Sequence, residues 1–328
     1  MQENPGTPYP YGTQAAGYPY PPQRPPWFLP APQGARYDHL ARNAVARPWR
    51  AIVGTLVIAG GFFAIGIVVV FAFMALAWIL GIDPPLDPVT FLPEGTPLGL
   101  AMTLLSIAPV LLLVYGTTAL VQRRRPGTLS SVAGRLRWSW MAGCTGVAVL
   151  ALVLGQGTQW AALTVSGLDA DMFGWIGWGT FLPLLIVIVL LVPFQAAAEE
   201  YVFRGWFVQA VGAHVRNPIW SILIGSALFA SLHGYSWAGL VDVFTFGAVM
   251  AWLTVRTGGL EAAIGLHVMN NLVAFGVSAA AGTLEDSLDQ AKVAVPWQAL
   301  AGTVVQLGVY AFGVMYLAKK RSISNISA

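Results

Sequence analysis

A handful of side chains in the apolar part of this sequence have the types and spacing needed for chemistry. Glu199, Glu200 and Arg204 lie in EEYVFR, directly after LLIVIVLLVPFQAAA. His233 closes FASLH, and His267 and Asn271 bracket HVMNN, which also holds Asn270. A charge at the centre of a membrane helix costs roughly 2.5 to 3.5 kcal/mol on insertion scales, and such residues usually face a bundle interior or a wet cavity. Helix geometry sorts them. At 3.6 residues per turn Glu200 and Arg204 are about 40° apart, an acid-before-base i, i+4 pair, whereas Glu199 points about 140° away from Arg204. Glu200 is therefore the expected partner of Arg204, and Glu199 is free to face a cavity as a general base. Phe229 and His233 share a helix face, as do His267 and Asn271. One carboxylate, two imidazoles and an amide on three segments could hold and deprotonate a water, or ligate a divalent metal with one open position.

Each of these residues has a plainer reading. A lone intramembrane His is usually an interhelical hydrogen-bonder, and a lone Glu–Arg pair is usually structural. Asp242 could cap the start of a helix. Glu261 is expected at an interface, in a first helical turn whose dipole favours an acid. It is the joint occurrence of the acid pair, both His and the Asn that argues for a site.

The elements that must position these groups are membrane helices. The 328 residues are 56% hydrophobic and 9% charged, with a mean hydropathy of +0.67, against about 25% charged for a soluble domain. The expected class is all-α, a polytopic membrane helical bundle. About eight transmembrane helices are read, at 51–81, 97–121, 139–157, 176–200, 218–233, 238–255, 259–281 and 297–318. The fifth is short. The fourth stays apolar to about residue 213 and is expected to kink at Pro193. Cys144 is the single cysteine, which excludes disulfides, thiolate metal clusters and catalytic Cys pairs. The first apolar run starts too late and runs too long for a cleavable signal peptide.

Of 17 Lys and Arg, all but Arg204 and Lys292 fall on one side of an eight-span topology. The positive-inside rule makes that side, with both termini, cytoplasmic, in the cell membrane. The same rule accounts for the net charge of +3 without nucleic acid. Residues 1–35, rich in Pro and Tyr, read as a disordered cytoplasmic tail that could take a protein partner. Residues 36–50 read as a basic juxtamembrane linker, and 51–321 as the eight-span membrane domain.

EEYVFR, FASLH and HVMNN together resemble the CPBP family of intramembrane proteases, whose pattern is EExxxR, FxxxH and HxxxN. That family includes the type II CAAX prenyl endopeptidases and the bacterial Abi proteins, and the resemblance covers a signature region of about 173–281. It implies hydrolysis of a peptide bond in or near the cytoplasmic half of the membrane. Glu199 would activate water, His233 would orient that water or bind a metal, and His267 and Asn271 would stabilise the oxyanion. Glu200 and Arg204 would brace the site, with Phe229 beside them. The family has been described both as metal-dependent and as metal-free, so a divalent ion such as zinc, held by Glu199, His233 and His267, stays open beside a Glu-only mechanism. The implied partners are a peptide or membrane-protein substrate and the lipid bilayer. HExxH, GxSG and GxGD, the marks of other intramembrane proteases, do not occur. Two other functions fit the same charges: an ion- or proton-coupled transporter, and a non-catalytic immunity or regulatory protein of the same fold.

Overall fold

The computed structural model describes residues 26–168, 174–289 and 294–328. Every segment read as a span is helical, and among the described residues there is no strand, only isolated bridges. The elements are α1 (Pro48–Leu80), α2 (Pro97–Ile107), α3 (Val110–Leu120), α4 (Trp138–Val165), α5 (Trp178–Glu200), α6 (Val208–Gly212), α7 (Pro218–Ser231), α8 (Trp237–Thr257), α9 (Glu261–Ala281), α10 (Leu284–Leu288) and α11 (Leu300–Lys320). Local signals set many of the ends. Pro48, Pro97 and Pro218 open helices at positions where no amide donor is needed. The Thr96 hydroxyl and the Asn217 side chain accept from backbone N–H groups at their helix starts. Gly81, Gly258 and Gly282 close helices at positive φ.

Among the described residues, seven helical stretches are long and apolar enough to cross a membrane, which makes this a multi-pass membrane protein. The fifth expected span is the exception. α7 has 14 residues, about 21 Å of helix against a hydrocarbon core of about 30 Å. The chain continues past it as non-helical residues 232–236, which reach Val295 through a Val295 N–H to Ser236 Oγ bond. The second span breaks into α2 and α3 at Ala108–Pro109. α5 continues as one helix through Pro183 and Pro193, and its pattern changes to a π-helix at Tyr201–Phe207 before α6.

The basic segments meet at one end of the bundle. Arg36 reaches the carbonyl of Arg216, Arg42 those of Gly212 and Val215, and Arg321 that of Ser139. Arg124 is buried between Gln122, Thr128 and Gln209, and burial lowers its guanidinium to about 10. Residues 1–25 of the expected tail lie outside the described residues. The remainder, 26–35, is not a free tail, because Leu29 N–H bonds the Arg123 carbonyl and Gly34 and Ala35 pair with Ser327. Nor is 36–50 only a linker: Tyr37–His39 forms a buried turn, and Pro48–Arg50 already belongs to α1.

α4 packs against both α9 and α11, and α5 lies between α2 and α9, while α1 borders α2 and α3 at the periphery. One side chain ties α4 to α9. Glu261, expected at an interface, is fully buried and accepts from Arg137 N, Nε and Nη2 at 2.9, 2.8 and 2.7 Å. Removing one partner of a buried pair leaves the other uncompensated, a loss of about 3–5 kcal/mol. Glu261→Ala is therefore expected to lower the thermal unfolding temperature in detergent well below that of Glu261→Gln. Equal melting of both variants and wild type would show that the pair does not hold α4 to α9.

Candidate active site

α5 and α9 run antiparallel, and their polar residues match turn for turn. Asn271 Nδ2 donates to Gln195 Oε1 at 3.0 Å, and Gln195 Nε2 donates to Glu199 Oε1 at 2.8 Å. Glu199 Oε2 lies 3.3 Å from His267 Nε2. His267 Nδ1 is 2.7 Å from Glu200 Oε1, which also accepts from Arg204 Nη1 at 3.0 Å. The motifs on α5 and α9 thus form one connected network.

Hydrogen-bond bookkeeping fixes most of the protons. A carboxylate only accepts, so Gln195 must turn its amide NH2 to Glu199 and its oxygen to Asn271. For the same reason His267 Nδ1 carries a proton toward Glu200. Two lone pairs 3.3 Å apart repel, so His267 Nε2 and Glu199 Oε2 attract one another when a proton sits on either atom. His233 Nδ1 is 2.8 Å from the Phe229 carbonyl. That oxygen also only accepts, which leaves Nε2 of a neutral His233 as an acceptor.

Aromatic rings wall the charges off. The Arg204 guanidinium lies 4.2 Å over the Phe229 ring and 5.9 Å from that of Phe246. The Phe229 centroid is 4.8 Å from that of His233 and 6.1 Å from that of His267, and Phe246 stands 5.3 Å from His267. Gly247 on α8 makes room for this, since a Cβ there would sit 3.1 Å from Arg204 Nη2 and 3.2 Å from Ser226.

Two cavities meet at this wall. An apolar one of about 370 Å³ is lined by Ile58, Phe62, Phe203 and Trp206 and touches Glu199, Phe229 and His233. Its margin includes Phe63, Leu228 and Leu232, which are exposed on the apolar outer surface. The other, about 310 Å³, is polar and touches Phe229, His233, His267 and Asn271. It extends toward the acidic-loop end of the bundle, where Tyr235, Gly239, Val295 and Ala299 lie. His267 is only six residues into α9 from the basic end, about 9 Å along its axis. His267, His233 and Asn271 therefore line the inner part of a polar cavity that extends toward the acidic-loop end.

The structure departs from the sequence reading at Asp242 and adds partners for Asn270 and Asn271. Asn271 is engaged by Gln195, a residue the motifs did not single out. Its signal was an amide one helical turn before Glu199, within an otherwise apolar run. Asp242 caps nothing: it is the sixth residue of α8, whose N-cap is Ser236, and it accepts from Thr303 Oγ1 at 2.6 Å. Asn270 turns away from α5 and accepts from Gln306 at 3.1 Å.

For a metal, the donors are incomplete. His267 Nε2 and Glu199 Oε2 are separated like two ligands of a tetrahedral ion with bonds of about 2.0–2.1 Å. Among the described residues, however, no group of three His, Cys, Asp or Glu is placed to hold one. The residues as arranged do not fit a three-ligand metal centre.

Comparison with known proteins bears on the same segment. Residues 178–273 match the family model described as type II CAAX prenyl endopeptidase Rce1-like. Over 100 residues the chain is 40% identical to the uncharacterized protein YyaK of Bacillus subtilis (strain 168), a match that covers 28% of this chain and 33% of that protein. No solved structure matches. The segment that matches this family model, residues 178–273, holds all three motifs and the whole carboxylate–imidazole–amide network, in keeping with the resemblance read from those motifs.

Proposed function

We propose that the protein is an intramembrane endopeptidase in which Glu199 activates a water for attack on a peptide carbonyl. The observation that carries this reading is the Glu199–His267 contact, braced from behind by Glu200 and Arg204 and set where an apolar and a polar cavity meet. Water held by His233 Nε2 gives a proton to Glu199 as its oxygen bonds to the carbonyl carbon. The resulting oxyanion accepts from His267 Nε2–H and from the second Asn271 amide hydrogen. Glu199 then delivers its proton to the departing nitrogen as the C–N bond breaks, leaving an acid and an amine. Gln195 holds the carboxylate of Glu199 throughout. An apolar cavity beside the base suits a substrate with a lipophilic segment next to its scissile bond.

The test is proteolysis of a peptide library by the purified full chain. Glu199→Gln, His233→Ala and His267→Ala are expected to lose about 10²–10⁴-fold in kcat. Gln195→Leu is expected to lose about 10–100-fold through misplacement of the base, with unfolding in detergent unchanged. Wild-type turnover in all four variants would sink the assignment.

No step of this mechanism passes through a metal. Dialysis against a chelator is accordingly expected to leave kcat within about twofold, the change in bound charge at the site being nil. A tenfold loss restored by zinc would place an ion between Glu199 and His267 and replace the Glu-only scheme.

The same reading puts the basic end in the cytoplasm, with the reactive groups in that half of the membrane. Native Cys144 is buried within α4, so introduced cysteines report topology against a silent background. With a membrane-impermeant maleimide on intact cells, Asp286→Cys should label and Ser322→Cys should not. Reversed labelling would invert the orientation.

A further inference from the structure

The polar cavity contains a carboxylate that the proposed reaction does not use. Asp242 points into it from α8, anchored through Oδ1 by the Thr303 hydroxyl of α11. Among the described residues that line this cavity, Asp242 is the one acid, and none is Lys or Arg. The remaining polar lining is uncharged or imidazole: Gln156, Gln159 and Gln306, Asn270 and Asn271, Tyr235 and the two His. Amides of this kind pair with peptide N–H and C=O groups without selecting a charge. A partly buried carboxylate with a hydroxyl but, among the described residues, no cation as partner is a different feature. It is stabilised by whatever positive group enters the cavity.

Its distance from the reactive groups suits a substrate side chain. Asp242 and Phe246 are one turn apart on α8, and Phe246 packs on His267. Asp242 therefore stands about 6 Å further along the axis, the reach of one or two residues of extended chain at about 3.3–3.6 Å each. Tyr235, whose ring stacks on His233 at 5.9 Å, forms the wall between.

We propose that Asp242 is a specificity residue: it receives the ammonium or guanidinium group of a substrate side chain one or two residues from the scissile bond, on the side of the acidic loops. The proposal rests on the endopeptidase reading for its register, and on the cavity alone for its chemistry. It divides the substrate between two compartments, with a lipophilic part beside Glu199 and a polar, basic part beside Asp242.

The experiment uses terminally blocked hexapeptides carrying Lys, norleucine or Glu at one internal position, presented to the full chain in detergent. Binding is measured by titration, and cleavage in parallel, for wild type, Asp242→Asn, Thr303→Val and Glu199→Gln. Wild type and Glu199→Gln should bind the Lys peptide about tenfold or more tightly than the norleucine peptide, the strength of a charge-assisted hydrogen bond. Asp242→Asn should lose that preference while binding the norleucine peptide as before, and Thr303→Val should weaken the preference. Absence of a Lys preference in wild type, or its persistence in Asp242→Asn, overturns the proposal. Failure of the endopeptidase reading looks different: Glu199→Gln would match wild type in the cleavage assay while the Lys preference in binding remained.

Discussion

One oxygen atom organises the centre of this protein. Glu200 Oε1 accepts from Arg204 on its own helix and from His267 on α9. The first bond makes a costly buried charge tolerable, and the second places a proton on Nδ1 and fixes the rotation of the imidazole. With Nδ1 committed to Glu200, Nε2 of His267 can only face Glu199. Arg204 in turn lies over the Phe229 ring, and that residue's carbonyl holds His233. The three sequence motifs are thus three parts of one object. An acid–base brace on the fourth span determines how two imidazoles are presented, one from α9 and one from the segment that follows α7.

Much of this was legible from the residues. The helical wheel separates Glu200 from Glu199 because i, i+4 contact is a property of the chain itself, and the contact survives even though a π-helix begins at Tyr201. The alternation of basic and acidic loops gave the parity of the spans, and the basic segments do gather at one end. Gln195 was missed because an amide carries no charge and attracts no notice in an apolar run. Its importance comes from the antiparallel register of α5 on α9, which no local pattern encodes. Asp242 was misplaced for a related reason: its partner, Thr303, is 61 residues away. Glu261 does stand in the first turn of its helix, but its burial and its partner Arg137, the residue before α4, come from the packing of two helices and not from a local pattern.

The short α7 also has a rationale in the site. Non-helical backbone at membrane depth is tolerated where it lines a cavity or is buried in protein. The segment after α7 does the former, carrying His233 and Tyr235 along the polar cavity. Ending the helix early turns what would have been a lipid-facing turn into the wall between the two compartments.

The π-helix at Tyr201–Phe207 has a consequence for the span as a machine part. It joins a half that carries Gln195, Glu199 and Glu200 to a half that anchors the basic end, where Trp206 packs on Gly54 and bonds Thr55 of α1, and Gln209 meets Arg124. Each residue of a regular helix advances the wheel by about 100°, and the wider i→i+5 turns reset that count between the halves. The two halves are consequently held at an angular offset that no uninterrupted α-helix could supply, and the span works as a coupling between shafts set out of phase rather than as a single rod.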